Sequence, residues 1–225
     1  ESRGLGDVYK RQPNNFAAEA TLMGLKKGAH VFCEKPPSKS LNELKPIQEF
    51  MRDSDLKLMY GFNHRFHSSV IKAREIVKEK KLGKVINMKG TYGKSKMISF
   101  NQTDWGTDRS KSGGGILLDQ GIHMLDLMNY FGGGFNQVFS IIQNSFWNYD
   151  VEDNAFILMQ NDEGLVAQLH SSATQWRHTF NLEMTFERGS LILGGLLTSS
   201  KSYGEETLRI ICLLYTSPSP RDSNL

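Results

Sequence analysis

The sequence predicts the tail of an α/β domain followed by an α+β domain built on a large, open antiparallel sheet. Three observations carry this. Short apolar runs alternate with helical patterns up to about residue 65, the spacing of parallel βαβ units. A Gly-rich stretch then leads into one strong helix pattern. Beyond it, strand-like runs follow one another with only short turns between them, which implies antiparallel pairing.

Residues 14–28 read as an amphipathic helix that Asn14 or Asn15 can cap and Gly28 can end. Residues 29–33, A-H-V-F-C, form a short apolar strand, with Glu34-Lys35-Pro36-Pro37 at its end. Ser40 and Glu43 have capping-box spacing for the next helix, although Pro46 interrupts its pattern and blurs where it begins. Residues 57–62 read as a second strand. Residues 68–80 follow as an amphipathic helix ending near Gly83, and 84–92 as a strand. Residues 101–115 are a polar, Gly-rich loop; 116–131 are a strong helix stopped by Gly132, Gly133 and Gly134. The strands expected after it cover about 137–147, 153–160, 164–173, 179–187 and 190–193, with a hairpin turn at Asp162-Glu163-Gly164. There is no internal repeat and no low-complexity tract.

Composition excludes several classes. The chain has 225 residues, 39% of them hydrophobic, enough for a sizeable core. A formal charge of +3 is too weak to argue for nucleic acid or an anionic membrane. No run approaches the roughly 18 to 20 apolar residues that span a bilayer. Two cysteines cannot build a disulfide framework, and the start has no secretory pattern.

The two ends read differently from the rest. One DNA sequence that encodes residues 1–12, E-S-R-G-L-G-D-V-Y-K-R-Q, gives C-L-L-Y-T-S-P-S-P-R-D on its reverse complement, one base out of frame. Residues 212–222 have that same order. Residues 1–12 and 212–225 are therefore expected to be adapter-derived and foreign to the fold. The remainder, 13–211, is expected to be open at both ends and to contain Cys33 as its one cysteine, most simply a small core residue.

The strongest chemical constellation is G-G-G-I-L-L-D-Q-G-I-H-M-L-D, residues 113–126. Asp119, His123 and Asp126 have i, i+4 and i, i+3 spacings and share one helix face. A carboxylate beside an imidazole fixes its tautomer and raises its basicity, which suits general acid–base work. The same spacing also suits a structural helix with one satisfied histidine and two capping or salt-bridged aspartates. A metal site is the weaker reading, because no further His or Cys ligand is near, and none is expected. Lys35 precedes a proline and is thereby held extended, at the carboxyl end of a strand where open α/β sheets take ligands. Taken alone it could equally be a solvated surface lysine.

These strings together, A-H-V-F-C-E-K-P (29–36), F-N-H-R-F (62–66) and S-G-G-G-I-L-L-D-Q-G-I-H-M-L-D (112–126), resemble the Gfo/Idh/MocA family of NAD(P)-dependent oxidoreductases of sugars, inositols and related polyols. E-K-P alone is weak; followed at this distance by D-x-G-x-H-x-x-D it is highly specific. The resemblance implies a C-terminal remnant of a Rossmann NAD(P)-binding domain over 13–65 and an α+β substrate and oligomerisation domain over 66–211. The implied cofactor is NAD or NADP, held by Pro13, Asn14, Glu34, Lys35, Pro36, Asn63 and Arg65, with the Lys35–Pro36 bond cis. The implied catalytic residues are Lys35, Asp119 and His123: His123 removes a hydroxyl proton, Asp119 orients the imidazole and binds a neighbouring hydroxyl, and Lys35 stabilises negative charge on the reacting oxygen. The proton acceptor is His123 or Lys35.

Trp105 and Arg109, before the glycines, and Trp176 and Arg177, with His178 beside them, are further substrate-binding candidates; loop packing and a sheet-edge salt bridge are the alternatives. His30, His64, His67 and His170 read as structural or exposed. The implied partners are a sugar or polyol substrate and a second copy of the chain through the antiparallel sheet, in the cytoplasm, with neither nucleic acid nor membrane. The first strand and the G-x-G-x-x-G turn of the family lie upstream of Pro13, so the 225-residue polypeptide alone is expected to be inactive and aggregation-prone. An NAD-dependent glycosidase acting by transient oxidation and elimination, and a non-catalytic dinucleotide- or sugar-binding relative, remain the alternatives; retention of Lys35, Asp119 and His123 disfavours the second.

Overall fold

The computed structural model describes residues 14–95, 104–196 and 202–212. Pro13, residues 101–103 of the expected loop and most of both ends lie outside them. The first part holds α1 (Ala17–Lys26), β1 (Val31–Cys33), α2 (Leu41–Arg52) and β2 (Leu58–Tyr60), and β1 pairs parallel with β2 as the alternation predicts. A small core of Ala18, Leu25 and Ile47 lies between the two helices. Gly28, at φ +79°, ends the first helical segment as expected. The expected caps are not made. A 3-10 turn (Asn14–Phe16) precedes α1, and the Asn14 amide donates instead to the Ser112 carbonyl at 2.7 Å. Ser40 makes no side-chain cap on α2; Glu43 reaches back one residue further, accepting the Lys39 N–H at 3.0 Å. Pro46 sits inside α2, where a missing N–H costs about 3 kcal/mol. Burial of Ile47 with Leu44 and Phe50 keeps the helix.

The second part is α3 (Ser68–Lys78), β3 (Val85–Gly93), the short α4 (Arg109–Ser112), a π-helical turn (Leu117–Gly121) running into α5 (Ile122–Gly132), and β4 to β9. The strands β4 (Gln137–Gln143), β5 (Asn154–Gln160), β6 (Val166–Ser172), β7 (Thr179–Phe186), β8 (Gly189–Gly194) and β9 (Thr207–Cys212) join β3 in one seven-stranded sheet of order β4-β5-β6-β3-β7-β8-β9. The sheet is mixed. All neighbours are antiparallel except β3 and β6, which run parallel. Short turns join the antiparallel pairs β5–β6 and β7–β8, but β3 is separated from the other strands by the whole helical segment and inserts between β6 and β7. β4 stops at Gln143, short of the expected 147, because the N–H groups of Ser145, Phe146 and Trp147 turn to the buried Asp153 carboxylate. β9 is a strand the sequence does not predict, and its last residue, Cys212, is one the sequence sets outside the fold. The β5–β6 hairpin forms at the expected turn: Gly164 takes φ +83° and Asn161 Oδ1 accepts the Glu163 and Leu165 N–H groups.

One sheet face carries the core. Alternation in T-F-N-L-E-M-T-F buries Phe180, Leu182, Met184 and Phe186, which join Met88, Leu169 and Leu191 against α3 and α5. Met124, Leu127 and Met128 of α5 are fully buried there, each worth about 2 kcal/mol of transfer free energy. The opposite face is open. Phe139 and Ile141 of β4 stand beside Leu158 and Phe156 of β5, all exposed. Among the described residues no helix is long and apolar enough to cross a membrane.

Candidate active site

Glu34, Lys35 and a cis Lys35–Pro36 peptide follow the carboxyl end of β1, and Gly61 to Arg65 follow β2. Lys35 points away from its own sheet and reaches the π-helical turn. Its Nζ donates to the Asp119 main-chain carbonyl and lies 3.3 Å from Asp119 Oδ1. Lys94, directly after β3, donates to the other carboxylate oxygen, Oδ2, at 2.8 Å. Burial opposes ionisation of Asp119, but the charges of Lys94 and Lys35 and their hydrogen bonds outweigh it and hold the carboxyl well below the usual range. Its side chain remains 45% exposed, so it is open to solvent on one side and not sealed in the core. Gly121, the glycine of D-x-G-x-H, lets the turn press on β6: a Cβ there would lie 2.8 Å from Ser171 Oγ.

His123 is buried one turn further on. Its ring stacks on His64, with centroids 3.9 Å apart at 15°, and meets the edge of Phe62 at 6.0 Å. His64 is fixed in turn by Tyr92 OH at 3.2 Å from Nε2 and Asn63 Oδ1 at 2.9 Å from Nδ1. The expected Asp119–His123 hydrogen bond is absent. Both Asp119 oxygens are taken by lysines, and His123 Nδ1 has no partner among the described residues. Ring packing, not a carboxylate, orients this imidazole. Burial is the main cause that lowers His123 to about 2 and His64 to about 3, helped by a second imidazole, His64 for His123 and His67 for His64, and by Lys35.

Both imidazoles are thus neutral in the fold and ionisable near 6.5 once unfolded. The unfolded chain therefore binds more protons below that pH. Stability should be full above about pH 6.5 and fall as the pH drops toward 3, by roughly 1.4 kcal/mol per pH unit for each imidazole. Urea unfolding across that range should show the slope, and His64→Phe should flatten it; an unchanged slope in the variant would count against it.

Asp126, the third member of the constellation, is a salt-bridge residue. Arg65 binds it in a fork, Nε to Oδ2 at 2.7 Å and Nη2 to Oδ1 at 2.5 Å, while lying 5.0 Å over the Tyr130 ring. This joins the segment after β2 to α5, so the Arg65 fork is committed within the chain. Asn63 is engaged with His64 and Asn14 with Ser112. The structure thus brings Lys35, Asp119 and His123 to one place. It does not link the other substrate candidates to them by hydrogen bonds among the described residues. Trp105 is half-buried in the 3-10 turn Asp104–Thr107. Arg109 is tied to Asp150, through its N–H at 3.0 Å and its Nε at 3.1 Å. Trp176, exposed, packs on Phe146 at 5.3 Å, and Arg177 is exposed beside it. No group of three or more His, Cys, Asp or Glu among the described residues could hold a metal ion.

Two site residues were not singled out from sequence. His64 stands inside the N-H-R string, between two residues that were. Lys94 had a weaker signal, a basic residue at the carboxyl end of a strand.

Comparison with known proteins bears on the family and the fold. A model of the GFO/IDH/MocA C-terminal domain matches residues 70–192, and one of an oxidoreductase family with an NAD-binding Rossmann fold matches 11–62. D-glucoside 3-dehydrogenase of Escherichia coli is 33% identical over 179 residues, 71% of this chain and 50% of that protein. Scyllo-inositol 2-dehydrogenase (NAD(+)) of Bacillus subtilis is 26% identical over 202 residues, 87% of this chain and 57% of the relative. Levoglucosan dehydrogenase of Pseudarthrobacter phenanthrenivorans is 28% identical over 131 residues, 58% of this chain and 34% of the relative. The solved complex of levoglucosan dehydrogenase with NADH and levoglucosan shares the fold, with a TM-score of 0.75 at 21% identity, covering 90% of this chain and 59% of that one. The chain spans about half the length of the curated relatives it matches.

Proposed function

Because the chain belongs to the Gfo/Idh/MocA family, we propose that it acts in transferring hydride between NAD(P) and a secondary alcohol of a sugar, an inositol or a sugar derivative. The observation that carries this is the convergence of Lys35 with the ionised Asp119 beside the neutral His123. The relatives named above as dehydrogenases of glucosides, levoglucosan and scyllo-inositol support the substrate class.

The residues at the ends of β1 and β2 fit a dinucleotide. The Glu34 carboxylate lies over Gly61, where a Cβ would meet Oε2 at 2.7 Å, and Asn15 Oδ1 is buried without a partner among the described residues. A carboxylate at a strand end suits ribose hydroxyls. Asn14, Glu34, Lys35, Pro36 and Asn63 would hold the cofactor, and Pro13 belongs to the same expected loop. When bound, the nicotinamide supplies the hydride acceptor or donor.

The chain's own residues handle the alcohol. Lys35 donates a hydrogen bond to the reacting oxygen and stabilises its developing charge. His123, neutral, takes the hydroxyl proton. Its low proton affinity belongs to the resting site; negative charge growing on the substrate oxygen offsets Lys35 and raises it. Asp119, held ionised by Lys94, accepts from a neighbouring hydroxyl. Protein from the complete gene, incubated with each cofactor and a panel of glucosides, anhydro-sugars and inositols, should form NAD(P)H with at least one of them. No reduced cofactor with any would contradict the reading.

A cytoplasmic location belongs to the same proposal and fits the free Cys33 thiol. So does self-association through the open sheet face. Phe139, Ile141, Phe156 and Leu158 form an exposed apolar patch, and such patches mark association surfaces. Phe139→Asp with Phe156→Asp should halve or quarter the mass seen by light scattering without changing the circular dichroism; an unchanged mass would remove this face as the interface.

A further inference from the structure

Asp119 is bound from both sides, and the two bonds differ in origin. Lys35 comes from the nucleotide-binding part and takes Oδ1 at 3.3 Å; Lys94 comes from the large sheet and takes Oδ2 at 2.8 Å. The Lys94 side chain is only 14% exposed. Its backbone is locked on both sides, donating to the Ser172 carbonyl at 2.9 Å and accepting from the Gln175 N–H at 3.0 Å. A largely covered, fixed ammonium bonded to a half-open carboxylate is more than a surface charge.

Each lysine with its carboxylate oxygen is one donor beside one acceptor. That is the complement of a single hydroxyl group, which gives its proton to the carboxylate and accepts from the ammonium. The two couples share one carboxylate, so they lie as close together as hydroxyls on neighbouring carbons. Hydroxyls on carbons across the ring from each other are too far apart to meet both. The half-open face of Asp119 leaves room for such a ligand.

We propose that Lys94 is a substrate-binding residue that reads the hydroxyl adjacent to the one being oxidised, so that the site selects a vicinal diol. This rests on the dehydrogenase reading for which hydroxyl reacts: the oxygen at Lys35 does, and the one at Lys94 does not. A ligand lacking the second hydroxyl forgoes its bonds to the Lys94–Asp119 couple, and a site built to hydrogen-bond a hydroxyl discriminates against the analogue that lacks it.

The test is calorimetric binding to protein from the complete gene loaded with reduced cofactor, a state in which an alcohol binds without turning over. The probes are methyl β-D-glucopyranoside, levoglucosan and myo-inositol, each with its singly deoxygenated analogues. Wild type should bind at least one polyol about 10- to 100-fold tighter than an analogue lacking one flanking hydroxyl. Lys94→Met should bind that pair alike, and Lys94→Arg, which keeps a donor, should retain part of the difference. Equal binding of every polyol and its analogues by wild type would overturn the assignment. So would a Lys94→Met variant that weakens all ligands by one common factor, as a structural residue would. Turnover with oxidised cofactor is scored apart from this: its absence tells against the dehydrogenase reading, whereas loss of discrimination tells against Lys94.

Discussion

Lys35→Met is expected to lower kcat/KM by about 10²- to 10³-fold, the usual loss when one preorganised donor to a developing oxyanion is removed. Methionine keeps the length and apolar body of the side chain, and Asp119 keeps its bond to Lys94. The site should therefore stay folded while losing the charge that faces the substrate oxygen. Steady-state kinetics beside thermal melting separate the two effects: the melting temperature should move little while turnover collapses. Lys35→Arg should not rescue, because a planar fork cannot replace a compact ammonium in this space. A methionine variant with wild-type kcat/KM would remove Lys35 from the reaction.

His123→Phe should cost about 10²- to 10⁴-fold in kcat, the range for a lost general base. Phenylalanine can preserve the stack on His64, which takes ring packing out of the comparison. The wild-type pH profile provides a second check. With His123 lowered to about 2 by burial and its neighbours, kcat/KM should show no ionisation near 6.5 that the variant lacks. An acid limb near 6.5 that disappears in His123→Phe would mean that the imidazole titrates freely, against the packing described.

Much of this site is legible in short strings because its chemistry sits in them. Lys35 before Pro36, and Asp119 and His123 on one helix segment, are visible without coordinates. What the spacing does not show is whom Asp119 contacts. An i, i+4 pair suggests carboxylate on imidazole, but both oxygens are bid for by ammonium groups from distant elements, and ionic hydrogen bonds prevail over a neutral ring. The contact of Lys94 with Asp119 is illegible for a topological reason. Lys94 reaches Asp119 only because β3 inserts parallel to β6, and alternation of buried and exposed residues is the same whichever way a neighbour runs. The same limit explains why the sheet reads as antiparallel and proves mixed. Asp126 and Arg65 show the opposite outcome: both lie in the quoted motifs, yet they bind each other and tie the two parts of the chain together.

The most direct test of the central claim, that Lys35, Asp119 and His123 form a site for moving hydride from a polyol carbon, follows the hydrogen itself. A polyol substrate deuterated at the carbon bearing the reacting hydroxyl is incubated with oxidised cofactor and protein from the complete gene, and the cofactor is weighed by mass spectrometry. Direct transfer predicts one deuterium in NAD(P)H, matched by an equal amount of ketone. Reduced cofactor without label, or sugar released with no net reduced cofactor, would contradict it.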